Sequence, residues 1–259
     1  MKINKEKSGG GISLPTKSRW TTPEAFFPVV VDDFFNDPNA LVNYGKALPK
    51  RHGDWPGKRS TPLYEIDEEL HVNIILKVLS CYYDLDYIEI SWNSSVMYFQ
   101  EIPRFSENKN DIRNKGWIHQ DPIQDSYQLA GLIYLTPDID PDSGTSLYNL
   151  KSNQVHRIYS KDVLFQDGSF DREEHTKSQT KHEENFKEKL RFQNIFNRLI
   201  AYDTNEWHRA NSFYNDDGKD ARLTLSFFVG GIDEMPLKRL KNSEYESIIK
   251  LQVEKNENK

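Results

Sequence analysis

The hydrophobic pattern of the N-terminal third predicts one short strand and two helices. Phe26–Val31 is a run of aromatic and β-branched residues, which is typical of a strand. A helix is predicted to begin after Asp37, where an N-cap side chain precedes a proline, and to end near Leu48. A second helix is predicted over Asp67–Cys81, because its apolar residues recur at helical spacing. Between the helices, Arg51–Pro62 contains two glycines and two prolines, so we expect a loop there. Within it, Trp55–Arg59 is expected to be a turn in preference to a substrate loop.

The remainder of the chain reads mainly as strands separated by turn-rich segments. The predicted strands are Tyr87–Ser91, Ser95–Gln100, Tyr127–Thr136, Asn197–Asp203, Trp207–Tyr214 and Leu223–Val229. Two further helices are expected, over Lys181–Arg191 and over Asn242–Lys255. Two helices followed by many strands predict an α+β fold that is mainly β, with a barrel or sandwich core flanked by the N-terminal helices.

The length and the absence of repeats favour a single domain. A chain of 259 residues fits one or two domains, and it contains no repeat of fixed period. Residues 1–20 are polar and glycine-rich, so we expect a flexible N-terminal arm. Residues 21–259 are expected to form one domain with a polar insert at about 149–191. The charged part of that insert, 166–190, is expected to be a solvated face.

Composition narrows the classes of partner. Asp and Glu number 40 against 34 Lys and Arg, and this acidic balance disfavours a general nucleic-acid binder, although a local basic patch at 50–51 and 58–59 stays open. The single cysteine, Cys81, excludes a disulfide scaffold or a cysteine-based metal cluster. No apolar stretch approaches the roughly 18 residues of a membrane span, and the N-terminus lacks the apolar core of a signal peptide. We therefore expect a cytoplasmic protein without a membrane partner.

Any metal chemistry must then use nitrogen and oxygen ligands, and three residues are suited to it. His119 and Asp121 are two apart, so on a strand they point to the same face. His208 follows 89 residues after His119, and Arg222 follows 14 residues after His208. Two histidines and one carboxylate form the facial triad of non-heme Fe(II) oxygenases. An arginine can bind a carboxylate through two parallel hydrogen bonds.

This order of residues resembles the Fe(II)/2-oxoglutarate-dependent dioxygenases, most closely their prolyl-hydroxylase-like branch. The resemblance extends over 92–230 and includes the strands Ser95–Gln100 and Leu129–Pro137 and the turn and strand Ser143–Tyr148. It implies a double-stranded β-helix (jelly-roll) core. The loop 101–116 and the insert are longer and more polar than in that branch, and such loops usually determine the substrate.

The resemblance implies a metal centre and a reaction. His119, Asp121 and His208 would bind Fe(II), 2-oxoglutarate would chelate the iron, and O2 would take the last position. The implied reaction is hydroxylation of a prolyl-type protein residue or of a small molecule, with release of succinate and CO2. Halogenases of this family lack the carboxylate, so Asp121 favours hydroxylation or demethylation over halogenation.

The resemblance also implies a binding site for the far carboxylate of 2-oxoglutarate. The expected contacts are Arg222, Tyr134, Tyr98 and Thr224. Alternation along the last strand places Arg222, Thr224 and Ser226 on one face, which makes either hydroxyl a possible donor. Tyrosines are common in strands, so Tyr134 and Tyr98 could equally be ordinary core residues.

Other functions remain open. One is a jelly-roll binding module without turnover, and another is a cupin-like protein that uses a different divalent metal. Asp142–Thr145 matches the aspartic-protease signature, but that chemistry needs two facing copies and the chain has one. The chain also lacks the Gly-x-Ser-x-Gly elbow of serine hydrolases.

Overall fold

A computed structural model of the protein describes residues 26–53, 55–87, 89–121, 127–151, 172–215 and 221–233. The predicted N-terminal arm (1–20) and C-terminal helix (242–255) lie outside these ranges. In the described part of the chain, no helix is long and apolar enough to span a bilayer.

The N-terminal region combines three short strands with three helices. In chain order they are β1 (Val29–Val31), α1 (Pro38–Ala47), β2 (Lys50–Gly53), β3 (Trp55–Ser60), α2 (Leu63–Ile66) and α3 (Glu68–Leu79). The two predicted helices are confirmed as α1 and α3, and Asp37 is the N-cap of α1 as predicted. The Asp37 side chain accepts from the backbone N–H of Ala40 at 3.0 Å, and Asp67 does the same for Leu70 at 3.0 Å.

The rest of the described chain is mostly strand. The elements are β4 (Ser94–Ile102), β5 (Tyr127–Tyr134), β6 (Thr145–Leu150), α4 (Arg172–Glu183), β7 (Phe186–Phe192), β8 (Leu199–Asp203), β9 (Trp207–Ala210) and β10 (Arg222–Gly230). Short 3-10 turns lie at Ile112–Asn114 and Pro141–Ser143.

The strands form two antiparallel sheets with jelly-roll topology. The large sheet has the order β1-β8-β5-β10-β4-β3-β2, and the small sheet has the order β7-β6-β9. Backbone pairing at Gly116 and His119 places one more short segment beside β9. We call these residues, 116–121, the His119 segment. From β4 onward the chain passes back and forth between the sheets, so β4, β10, β5 and β8 face β7, β6, β9 and the His119 segment. This double-sheet arrangement of eight strands is a jelly roll, as the resemblance implied.

The large sheet has one face packed on helices and one face turned toward the small sheet. On β10, Leu225 and Phe227 belong to the same main hydrophobic core as Ile75 and Leu79 of α3. The intervening residues of β10 point the other way, because successive side chains of a strand alternate. That inner face carries the predicted residues Arg222 and Thr224.

Three sequence predictions were wrong. Most of 51–62 belongs to the hairpin of β2 and β3, which ends at Ser60, rather than to a loop, because an edge hairpin tolerates the glycines and prolines that suggested a turn. Lys181–Arg191 is not a helix, since α4 ends at Glu183 and Phe186–Phe192 is an edge strand rich in charged residues. The described residues of Tyr87–Ser91 form no strand.

Candidate functional site

A cavity opens between the two sheets. Its volume is about 370 Å³, which is in the range usual for small-molecule sites. The large sheet contributes residues of β3, β4, β5, β8 and β10 to its wall, and the small sheet contributes residues of β6, β9 and the His119 segment. The predicted site residues that line it are His119, Asp121, His208, Arg222, Tyr98 and Thr224.

The backbone brings His119 and His208 together. The N–H of His119 donates to the carbonyl of His208 at 3.0 Å, and the N–H of His208 donates back at 2.8 Å. Directly opposed residues of antiparallel segments present their side chains on one face. The two imidazole centroids accordingly lie 4.4 Å apart on the cavity wall.

Each imidazole is oriented by a backbone carbonyl two residues earlier. Nδ1 of His119 lies 2.9 Å from the carbonyl oxygen of Trp117, and Nδ1 of His208 lies 2.9 Å from that of Glu206. A carbonyl oxygen only accepts, so each Nδ1 carries the hydrogen. The Nε2 atoms are thereby left with their lone pairs, which is the usual arrangement of metal-binding histidines.

Asp121 completes the cluster and has an unsatisfied oxygen. It is 8% exposed, with Oδ1 4.0 Å from Nε2 of His119 and Oδ2 3.5 Å from Nε2 of His208. Oδ2 is buried and has no hydrogen-bond partner among the described residues. Such an oxygen costs about 1–3 kcal/mol, a cost that a bound cation would remove.

The three side chains fit a divalent metal ion. Their donor atoms all lie within 4.8 Å of one another. Imidazole nitrogen and carboxylate oxygen suit first-row metals such as Fe(II), and three protein ligands leave positions open for other molecules. The structure thus brings together the three residues that the sequence singled out, which are His119, Asp121 and His208.

Arg222 lies in the same cavity as a buried cation. It is 3% exposed, and neither Nε nor Nη2 has a hydrogen-bond partner within the described part of the chain. Burial lowers the pKa of its guanidinium, and the neighbouring hydroxyls of Tyr134 and Tyr202 oppose that shift. Because arginine stays charged in proteins, these donors are suited to the carboxylate of a ligand.

The residues predicted to assist Arg222 occupy different places. Thr224 is buried on the same face of β10, and Tyr98 lines the cavity from β4. The ring centroid of Tyr134 lies 5.4 Å from Cζ of Arg222, and the Tyr134 hydroxyl donates to Oγ1 of Thr145 at 2.9 Å. The Tyr134 hydroxyl therefore lies between Thr145, to which it donates, and the Arg222 guanidinium, with which it also interacts.

For Trp55–Arg59 the sequence favoured a turn over a substrate loop, whereas this segment is part of β3 and contributes to the cavity wall. Trp55 and Arg59 both line it, and Gln100 of β4 lies directly opposite Arg59. The Gln100 amide nitrogen donates to the carbonyl of Pro56 at 2.8 Å, which ties the two strands together. The four-residue spacing of Trp55 and Arg59 fits one face of a strand, but the intervening proline and glycine hid that signal.

Helix α4 packs behind the strands that carry the two histidines. Its His182 ring nitrogen Nε2 lies 2.8 Å from the carbonyl oxygen of Ile118, and its Glu183 pairs with Arg209. Ile118 and Arg209 are the immediate neighbours of His119 and His208 in the chain. Part of the polar insert therefore supports the candidate metal centre from outside.

The fold and the site define a jelly-roll protein with a His-Asp-His cluster and a buried arginine in one cavity. Residues 21–229 match the model of a family of unknown function, DUF6445, and the chain belongs to that family. A search of curated proteins finds no match.

The chain is also similar to solved structures at low sequence identity. A prolyl hydroxylase from Trichoplax adhaerens, in complex with a hypoxia inducible factor peptide, matches with 11% identity and a TM-score of 0.45, covering 83% of this chain and 86% of that one. HygX from Streptomyces hygroscopicus, with nickel and 2-oxoglutarate bound, matches with 10% identity and a TM-score of 0.46, covering 84% and 88%. EvdO2 from Micromonospora carbonacea var. aurantiaca matches with 13% identity and a TM-score of 0.46, covering 89% and 96%.

Proposed function

We propose that this chain is an Fe(II)- and 2-oxoglutarate-dependent oxygenase that hydroxylates a prolyl-type protein residue or a small molecule. One observation carries the proposal. A cluster of two oriented histidines and an unsatisfied carboxylate shares a cavity with Arg222, a buried guanidinium that has two unpartnered donor atoms. The cluster suits a divalent metal, and the arginine suits the far carboxylate of 2-oxoglutarate.

The reaction balances without any further reductant. A substrate C–H bond, O2 and 2-oxoglutarate become an alcohol, succinate and CO2, with one oxygen atom in the alcohol and the other in succinate. Fe(II) with its co-substrates supplies the oxidising chemistry when bound, and the protein supplies binding and orientation.

Each of the chain's own residues has a definite task in this scheme. The carbonyls of Trp117 and Glu206 hold the two imidazole rings with Nε2 facing the cavity. Arg222 binds the far carboxylate of 2-oxoglutarate, and the hydroxyl of Thr224 is the nearest further donor along β10. Leu132 and Phe228 contribute apolar side chains to the cavity wall.

The test is succinate formation from 2-oxoglutarate under air, with Fe(II) added to the wild-type protein and to two variants. We expect the wild type to release succinate slowly even without its primary substrate. His208→Ala should reduce this rate at least about 100-fold, because it removes a metal ligand. His52→Ala, which removes an exposed histidine of β2, is the matched control and should keep the wild-type rate.

The other candidate functions give different results in the same samples. A binding module without turnover would bind metal and 2-oxoglutarate and form no succinate. A cupin-like protein would bind a divalent metal without 2-oxoglutarate and would also form no succinate, so binding of 2-oxoglutarate distinguishes these two alternatives. Equal rates in the wild type and in His208→Ala would contradict the proposal.

A further inference from the structure

A second arginine, Arg59, faces the cavity between two aromatic rings. Its Cζ lies 4.8 Å from the ring centroid of Trp55 and 4.9 Å from that of Tyr98. Its Nε is buried and has no hydrogen-bond partner among the residues that the structure describes. Cation–π contacts with both rings hold the guanidinium at this place on the wall, and its N–H groups are its means of recognition.

Arg59 and Arg222 stand at different places on the wall. Arg59 of β3 is opposite Gln100 of β4, and Gln100 is opposite Thr224 of β10. Neighbouring strands lie about 4.8 Å apart, so this row sets the backbone of Arg59 about 10 Å from that of Thr224. Arg59 on β3 is therefore separate from Arg222 and Thr224 on β10, which would bind the co-substrate carboxylate.

The surroundings of Arg59 favour an anion. On its other side, Arg59 is directly opposite Arg51 of β2, and like charges in that position destabilise a sheet. Burial lowers the pKa of the Arg59 guanidinium, while Tyr98 and Asp121 oppose that shift. Asp121, however, belongs to the metal cluster, so its charge would be taken up by the ion.

For the described residues of the wall, the formal charges of the cavity with metal and 2-oxoglutarate bound add up to plus one. The described wall contains two arginines, Arg59 and Arg222, and one aspartate, Asp121. A divalent metal raises the formal charge from plus one to plus three, and the 2-oxoglutarate dianion lowers it to plus one. The remaining charge lies at Arg59, and a partly buried charge binds best to a partner of opposite sign.

We infer that Arg59 binds a carboxylate of the primary substrate, held in place by Trp55 and Tyr98. This inference rests on the proposed function, because it assigns the substrate class of the same cavity. The carboxylate can belong to a free acid or to an acidic residue beside the hydroxylated position of a peptide. In both cases the planar fork of Arg59 provides two parallel N–H donors to it.

The test compares probes that differ only in one charge. The first pair of probes is N-acetyl-aspartate amide and N-acetyl-asparagine amide, and the second pair is two hexapeptides with a single central aspartate or asparagine. Each probe is titrated with protein loaded with Zn(II) and 2-oxoglutarate, and binding is followed by ligand-observed NMR. We expect the wild type to bind the aspartate form of at least one pair about tenfold more tightly than the asparagine form. Tighter binding of the capped residue indicates a free acid as substrate, and tighter binding of the hexapeptide indicates a protein.

Two variants show whether Arg59 causes the preference for the aspartate probe. Arg59→Gln should reduce the tenfold preference to about one while 2-oxoglutarate binding and the melting temperature stay at their wild-type values. Lys58→Gln removes the same charge from an exposed neighbour in the strand and should keep the preference. No preference in the wild type, a preference that survives Arg59→Gln, or an equal loss in both variants would overturn the inference.

The same data separate this inference from the proposed function. Wild-type protein that binds 2-oxoglutarate but shows no carboxylate preference contradicts only the role of Arg59. Wild-type protein that fails to bind 2-oxoglutarate contradicts the proposed function. In that case the preference for aspartate over asparagine probes is measured without metal and 2-oxoglutarate, in the wild type and in Arg59→Gln. A preference that only the wild type shows would still assign carboxylate binding to Arg59.

Discussion

His119 and His208 are 89 residues apart in the sequence but directly opposite each other in the small sheet, where each backbone N–H donates to the other residue's carbonyl. This reciprocal pair fixes the distance between the two imidazoles before any metal binds. Because Asp121 follows two residues after His119, the same short segment also positions the carboxylate. The candidate metal centre is therefore determined by backbone pairing, and its geometry should respond to changes in that pairing.

Replacing Asp121 should abolish metal binding without lowering the stability of the metal-free protein. Asp121→Ala removes a buried carboxylate oxygen that lacks a hydrogen-bond partner, so the unloaded variant should melt at or above the wild-type temperature. Metal at 100 times its dissociation constant should raise the wild-type melting temperature by about 5–10 °C and leave the variant unchanged. Thermal melts with and without Mn(II) measure both effects.

Asp203 provides the contrast, because it is a buried aspartate that does accept hydrogen bonds. Its Oδ1 accepts from the backbone N–H and the side-chain nitrogen of Asn205. Asp203→Ala should lower the free energy of unfolding by about 1–3 kcal/mol and keep the shift caused by metal. A metal-induced shift in Asp121→Ala that equals the wild-type shift would contradict its assignment as a ligand.

Removing the Arg222 charge should weaken 2-oxoglutarate binding specifically. Arg222→Gln loses a bidentate, charge-assisted contact worth about 3 kcal/mol, which corresponds to roughly 100-fold in affinity. Metal binding should be unchanged, since the metal ligands are on other residues. Calorimetric titrations of Ni(II) and then 2-oxoglutarate measure both affinities, with Arg191→Gln on the exposed face of β7 as the control. Equal 2-oxoglutarate affinity in Arg222→Gln and Arg191→Gln would rule out the assigned role.

Gly116 should be intolerant of a side chain for a reason connected to the metal centre. Its N–H donates to the carbonyl of Ala210 at 3.0 Å, and a Cβ on Gly116 would lie 2.9 Å from that same oxygen. Gly116→Ala should therefore push the His119 segment away from β9 and weaken metal binding by about tenfold or more. Metal titration followed by intrinsic fluorescence measures the change.

Gly45→Ala is the matched control for that substitution. A Cβ on Gly45 would lie 2.3 Å from the ring of Phe99, on the helix side of the large sheet. This variant should lower the melting temperature and keep the wild-type metal affinity. If both alanine variants lose metal affinity to the same extent, the effect is general destabilisation and not displacement of the His119 segment.

The Asp111 carboxylate should make stability depend on pH in the acidic range. Hydrogen bonds from the Arg113 side chain hold the pKa of Asp111 well below its usual range. Since the folded-state pKa is lower than the unfolded one, the ionised carboxylate contributes stability above about pH 4, and that contribution is lost as the pH falls toward the folded-state pKa. Asp111→Asn should therefore cost about 1–2 kcal/mol at pH 7 and progressively less below pH 4.

Urea unfolding of the wild type and Asp111→Asn between pH 7 and pH 2.5 measures this difference. The exposed Asp86→Asn serves as the control and should differ little from the wild type at any pH. A constant difference between the wild type and Asp111→Asn across the whole range would show that the ionised form of Asp111 contributes nothing.

The sequence predicted the fold where caps or regular apolar spacing mark an element, and failed where such signals are absent. The helices α1 and α3 show their caps and apolar faces plainly, and β10 alternates between core and cavity residues. By contrast, Phe186–Phe192 lies at a sheet edge with charged side chains between its two phenylalanines, a pattern that does not distinguish a strand from a helix. Local patterns of this kind carry no information about the sheet that a segment joins.

For the site, residue type and order were sufficient to select His119, Asp121, His208 and Arg222. These four side chains line one cavity because strands from distant parts of the chain pair with each other. Residue type and order do not show which strands pair. Arg59 was considered only as part of a possible substrate loop, and a turn was preferred. Its contacts with Trp55 and Tyr98 could not be predicted, because these rings come together only when β3 pairs with β4.

The most direct test of the shared metal and co-substrate site is an anaerobic titration of the wild-type protein with Fe(II) and 2-oxoglutarate, followed by visible absorbance. The weak charge-transfer band requires both to be bound to each other. We expect the band in the wild type at one iron per chain, no band in His208→Ala, and in Arg222→Gln a band only at roughly 100-fold higher 2-oxoglutarate. Absence of the band in wild-type protein that is saturated with Fe(II) and 2-oxoglutarate would contradict the assignment of this cavity.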